Sequence, residues 1–146
     1  MDRQLAIYVS AAQEMDHECE LLGQLLADMI PAVRWTIKRT PTSHENSNPD
    51  LEALRHSQFY IILMGTDIVA PVGVEWMAAR KAGLPVFAYH NAAAAPTPAG
   101  AVFMRDAGIT WEDYKAAQDF IHHLERALIV ELLRGTPGYG LHLNDI

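Results

Sequence analysis

A three-layer α/β sandwich around a parallel sheet is the fold this sequence predicts, on three observations. Short apolar runs alternate with amphipathic helical stretches, the pattern that parallel strands joined by right-handed crossovers produce. Two of those runs, LAIYVS (5–10) and FYIILMG (59–65), are apolar almost throughout, as strands covered on both faces are. A third, AVRWTIKRT (32–40), alternates instead, which suits a sheet edge with one wet face. At 146 residues the chain predicts one domain over 1–146, long enough for a single hydrophobic core.

LAIYVS is the first strand. From Glu14 to Ile30 the apolar residues Met15, Leu21, Leu22, Leu25, Leu26 and Met29 recur at helical spacing, and Pro31 marks the stop. AVRWTIKRT, the second strand, sets Val33, Trp35 and Ile37 on one side and Arg34, Thr36 and Lys38 on the other. The Pro-, Asn- and Ser-rich stretch 41–50 reads as loop, and a short helix, DLEALRHS, starts from Asp50 as N-cap. FYIILMG is a central strand. After the loop TDIVAP a helix runs from Val72 to Ala82, with Gly83 at its C-terminal cap and Pro85 preventing continuation. PVFAYH (85–90) is the fourth strand. Residues 91–108 mix alanine with Pro and Gly and fit a surface loop with a short helical piece, with no definite element assigned. ITW (109–111) fits a short edge strand, and Tyr114–Arg134 a long helix burying Ala117, Phe120, Ile121, Leu124, Leu128 and Leu132, ended by Gly135. The tail after it has no core pattern of its own.

With the alternating strand outside and the apolar runs inside, a flavodoxin-like sheet of four to five strands in the order 2-1-3-4-5 fits best. Ligands of such sheets bind beyond the carboxyl ends of the strands, where the order reverses. That rule selects Ser10–Asp16, after the first strand, and Gly65–Glu75, after the third.

The net charge of −7, from 18 acidic and 11 basic residues, disfavours nucleic acid, which needs clustered cations to release phosphate counterions. A small anionic nucleotide is compatible with it. The lone Cys19 forms no internal disulfide, and no Cys/His set has zinc spacing. No membrane segment is expected and the cytoplasm is the default location. The absence of G-x-G-x-x-G, of a Walker glycine loop and of G-x-S-x-G removes the hallmarks of dinucleotide redox chemistry, NTP hydrolysis and serine esterase activity. No cofactor is implied. An aspartyl-phosphate receiver would need an acid at the end of the third strand, where Met64 and Gly65 stand.

Glu75 is the leading candidate for chemistry. In the first turn or so of its helix it is aimed at the carboxyl edge, yet a carboxylate there also gains about 0.3–1 kcal/mol from the helix dipole, so both readings stand. Gly65 and Gly73 permit close backbone approach to a ligand or only shape a turn. Ser10 offers its hydroxyl to a ligand or caps the next helix. Thr66 and Asp67 lie in the same loop, and His90, ending the fourth strand, is the one histidine that topology sends to this edge. Glu14 and Glu18, four residues apart, share a helix face and repel unless something lies between them. Trp76 packs in the core or walls a pocket, and Cys19 reads as a small core residue rather than a nucleophile.

Two stretches taken together carry a resemblance. IYVSAAQEMDHECELL, with Ser10, Glu14, Met15 and Glu18 spaced as Ser, three residues, Glu, an apolar residue, two residues, Glu, is similar to the opening of a TIR-like family of uncharacterised bacterial domains. LEALRHSQFYIILMG with GVEWMAARKAGLPVFAY resembles the later part of that family. It also resembles the nucleoside 2-deoxyribosyltransferases, where Gly-x-Glu, a helix with small residues and Gly-x-Pro-Val recur. The likeness covers about residues 4–90; Cys19 stands where that opening usually has Arg, and the transferases' Asp-rich loop is reduced to Thr66 and Asp67. The resemblance implies a nucleoside or nucleotide in the cleft and Glu75 acting at the N-glycosidic carbon. The glutamate would be a nucleophile as in the transferases, or assist nicotinamide–ribose cleavage as in enzymatic TIR domains. Ser10, Gly65, Thr66, Asp67, Gly73 and His90 would bind the ligand. Many TIR-like domains act instead as signalling or assembly modules, and the edge strand and final helix leave room for homo-oligomers.

Overall fold

A computed structural model of the chain describes residues 3–29, 33–41 and 48–134. Five parallel strands, β1 (Arg3–Ser10), β2 (Val33–Arg39), β3 (Phe59–Met64), β4 (Val86–Asn91) and β5 (Glu112–Tyr114), form one sheet in the order β2-β1-β3-β4-β5. The α/β class and the 2-1-3-4-5 order follow the sequence expectation. β3 is buried at every position and pairs with β1 (Ser10 opposite Ile62) and with β4 (Met64 opposite His90). β2 lies at the edge, and its inward side opens progressively, from buried Val33 through half-buried Trp35 to Ile37, 41% exposed.

Helices α1 (Asp16–Asp28) and α5 (Ala117–Arg134) cover one face, where Leu22, Leu26, Phe120, Leu124, Leu128 and Leu132 meet Ile7, Val9, Ile61 and Leu63. Helices α2 (Leu51–Arg55), α3 (Ala70–Ala82) and α4 (Pro98–Asp106) cover the other, where Leu54, Val72, Trp76 and Ala79 meet Tyr8, Tyr60, Ile62 and Ala88. Alternate strand residues face opposite ways, which sorts Ile7 and Val9 from Tyr8 and Ser10. No helix among the described residues is long and apolar enough to cross a membrane.

The local signals act as their chemistry predicts at two helix ends. Asp50 accepts from the Ala53 amide at 3.0 Å and caps α2. Gly83 takes φ +70° at the end of α3, a conformation costly for residues with a Cβ.

Three expectations are corrected, and one stretch left open is filled. The final strand is Glu112–Tyr114 rather than Ile109–Trp111, because pairing with β4 begins at Tyr89 opposite Glu112. Ile109 and Trp111 instead pack into the α3/α4 layer. Tyr114 therefore ends β5, with its ring 5.3 Å from Phe120, and α5 starts at Ala117. Residues 91–108 contain α4, started by Thr97, whose side chain accepts from the Gly100 amide at 3.1 Å. Finally, a 3-10 turn, Gln13–Met15, precedes α1, and neither has a side-chain cap. Pro31, Gly135 and the C-terminal tail lie outside the described residues.

Candidate functional site

At the carboxyl edge of β1 a single carboxylate collects the hydroxyls around it. Glu75 is fully buried, and its Oε1 accepts from Ser10 Oγ at 2.8 Å and from Thr40 Oγ1 at 2.5 Å, while Oε2 accepts from the Tyr8 hydroxyl. Two of these donors are themselves acceptors: the Tyr60 hydroxyl donates to Ser10 at 2.6 Å, and the Ala11 amide donates to Thr40 at 3.0 Å. Short donor chains from β1, β3 and the end of β2 thus all terminate on one acid of α3. Burial pushes the Glu75 carboxyl upward, against the hydroxyl bonds from Thr40, Tyr8 and Ser10, which favour its ionised form. The Tyr8 and Tyr60 phenols are raised as well, chiefly by burial, so both remain protonated donors.

The helix-start explanation of Glu75 does not hold. α3 begins at Ala70, with a proline in its first two positions and no acid in its first turn. Glu75, five residues further on, is beyond the reach of the dipole effect, which fades within one turn. Ser10 does not cap α1 either, since its hydroxyl is committed to Glu75.

The second predicted loop is held by a different acid. The exposed Glu14 places its carboxylate over the β3–α3 connection, where Oε1 accepts from the Thr66 and Asp67 amides at 2.9 and 3.1 Å and Oε2 from the Thr66 hydroxyl at 2.6 Å. Gly65 makes room for this: a Cβ there would lie 2.8 Å from Glu14 Cδ. The close approach expected at Gly65 is thus made by the chain's own glutamate, which still adds a small like-charge push on Glu18. Asp67 continues the connection by accepting from Thr97 Oγ1 at 2.8 Å, while the Thr97 amide donates to the Thr66 carbonyl at 2.7 Å. Gly100, against Met64 and the Thr66 carbonyl, lets α4 settle on this loop. Gly73 has open space where a Cβ would stand.

His90 is buried rather than at the surface. It is 9% exposed, its Nδ1 pairs with Asp113 at 3.1 Å, and its Nε2 is enclosed without a hydrogen-bond partner. It faces the same side of the sheet as Ser10, two strand spacings across and two residues further along, about 12 Å in all. Trp76 belongs to the core, 6.0 Å from the Tyr60 ring, with its indole N–H donating to the Ala107 carbonyl at 3.2 Å. Burial raises the Cys19 thiol, which leaves it a packing residue. Among the described residues, no group of three or more His, Cys, Asp or Glu is arranged to hold a metal ion.

Sequence reasoning brought Ser10 and Glu75 to one place and missed Tyr8, Thr40 and Tyr60. A usable signal was present for the tyrosines: a phenol inside an apolar strand needs a partner for its hydroxyl, and Tyr8 and Tyr60 are opposite each other in register. Against known protein families, characterised proteins and solved structures, the chain finds no match.

Proposed function

We propose that this protein binds a nucleoside or nucleotide at the carboxyl edge of β1 and β3 and acts on its N-glycosidic bond through Glu75. The observation that carries the reading is the Glu75 carboxylate, fixed at the strand-order reversal with hydroxyl donors on both oxygens. Such a group suits attack on, or stabilisation of, an anomeric carbon with oxocarbenium character. In the transfer version a carboxylate oxygen bonds to the anomeric carbon as the carbon–nitrogen bond breaks, its electron pair leaving with the base. The resulting glycosyl ester then passes to water or to a second base. Opening of the edge over Ser10 and Glu75 is part of this proposal, because both are fully enclosed in the structure.

That enclosure favours a second reading, a non-catalytic signalling or oligomerisation module in which the same hydrogen bonds only tie strands to helix. The two are separated by incubating pure protein with NAD and with 2′-deoxynucleosides, beside Glu75→Gln. Release of free base by the wild type and not by the variant supports the enzyme. Equal traces from the two proteins remove it and leave the module.

A further inference from the structure

We infer that the groove between α2 and α3, on the side of α3 turned away from Glu75, docks an acidic amphipathic helix of a partner protein. The hollow measures about 570 Å³, with Leu51, Val74 and Met77 supplying apolar surface and Arg55, Arg80 and Lys81 supplying charge. Val74 and Met77, three residues apart and so on one helix face, are 52% and 63% exposed. Isolated exposed apolar residues are ordinary; here two large ones adjoin a concave site.

The charges select the occupant. Among the described residues, Arg55, Arg80 and Lys81 take part in no ion pair. All three stand in the last turns of α2 and α3, where a cation meets the helix C-terminal dipole. In a chain of net charge −7 with 18 acids, three such cations without an ion pair among the described residues are also complementary to an acidic group brought from outside. An apolar floor flanked by cations matches a helix with apolar anchors along one stripe and Glu or Asp beside it.

The dimensions agree. From Val74 to Lys81 the floor follows about 10 Å of helix, at about 1.5 Å per residue, which is two turns and accommodates anchors at i, i+3 or i+4, and i+7. The hollow is shallow on its α3 side, since Val74 and Met77 remain more than half exposed, while Leu51 is half-buried against the core. A small ligand would stay largely in water there, whereas pockets for such ligands enclose most of their surface. A helix laid lengthwise between α2 and α3 covers both residues. Nucleic acid is the weaker occupant, because the surrounding negative chain opposes a phosphate backbone.

The test uses the full chain and a fluorescein-labelled amphipathic peptide of about four turns, with Leu at i, i+4 and i+7 and Glu on the flanks. Its controls are the same peptide with Lys for Glu, octyl phosphate, and vesicles of anionic phospholipid. Binding is read by anisotropy and by the methyl signal of Met77, assigned through its loss in Met77→Glu. The acidic peptide is expected to bind saturably and shift that signal, and Met77→Glu or Arg55→Glu/Arg80→Glu to weaken it by about tenfold or more. Circular dichroism melts that match the wild type will show that these surface variants fold. The proposal is overturned if the acidic peptide does not saturate, if the Lys peptide binds as tightly, or if the variants bind unchanged. It is equally overturned if only octyl phosphate or vesicles shift Met77.

Discussion

Replacing Glu75 by alanine should cost the fold about 3–5 kcal/mol, an amount that follows from counting donors. Three hydroxyls, on Tyr8, Ser10 and Thr40, would lose their acceptor inside the protein, and all three residues are at most 2% exposed. A buried donor without an acceptor costs about 1–3 kcal/mol; hydroxyl rotation and entry of water hold the sum to the lower part of that range. Glutamine is much milder. Its carbonyl oxygen can keep Ser10 and Thr40 while its amide faces Tyr8, whose hydroxyl must then accept and leave its own proton unused. The cost is one lost donor, or about 1–2 kcal/mol. Urea denaturation followed by circular dichroism at pH 7 measures both variants. For a domain of this length about 3–4 °C of melting temperature accompanies each kcal/mol, so Glu75→Ala should melt about 9–20 °C below the wild type. Equal losses in the two variants, or less than about 1 kcal/mol for Glu75→Ala, would refute the donor count.

Other outcomes follow from the same geometry. Burial raises the Glu75 carboxyl above its usual 4.5, so folding favours its protonated form. That contribution is complete below about pH 4.5 and is lost as pH rises through the elevated folded value. The stability advantage of wild type over Glu75→Gln should therefore shrink with rising pH across this window; an advantage that grows would contradict the assignment. Glu18, raised in the same direction by burial, is common to both proteins and cancels. Gly65→Ala should displace Glu14, whose flexible carboxylate end is the group in the way, at about 0.5–1 kcal/mol because the clamp is exposed. Loss of protection of the Thr66 and Asp67 amides in hydrogen exchange is the specific sign. Gly100→Ala should cost more, about 1–3 kcal/mol, since its Cβ would come 2.8 Å from the Thr66 backbone carbonyl as well as 2.7 Å from Met64; a melt unchanged from wild type would show that α4 can shift.

The strand order was legible because burial writes itself into composition. Two faces covered make an apolar run, as in β3, and one face exposed makes alternation, as in β2. Caps were legible where one residue acts locally, as Asp50 and Gly83 do. α4 had no firm signal because Pro96, Pro98 and Gly100 punctuate a short helix whose packing rests on Gly100 and Phe103. β5 was displaced by three residues because Ile109 and Trp111 are apolar for the sake of the helical layer, while Glu112 and Asp113 are exposed on an edge strand. At the site, topology alone delivered Ser10, Gly65 and Glu75 to one edge. Topology could not assign their partners: Thr40 and Tyr60 are 35 and 50 residues from the groups they contact, and local pattern carries no information across such separations.

The convergence of hydroxyl chains on Glu75 has a bearing on how related sequences should be compared. An acid that anchors two strands and the turn beyond a third to one helix will be retained in descendants that have abandoned any reaction, because discarding it unmakes the sheet edge. Its persistence across a lineage would therefore report on architecture. A lineage that had kept turnover would instead have to preserve whatever admits a sugar past Ser10.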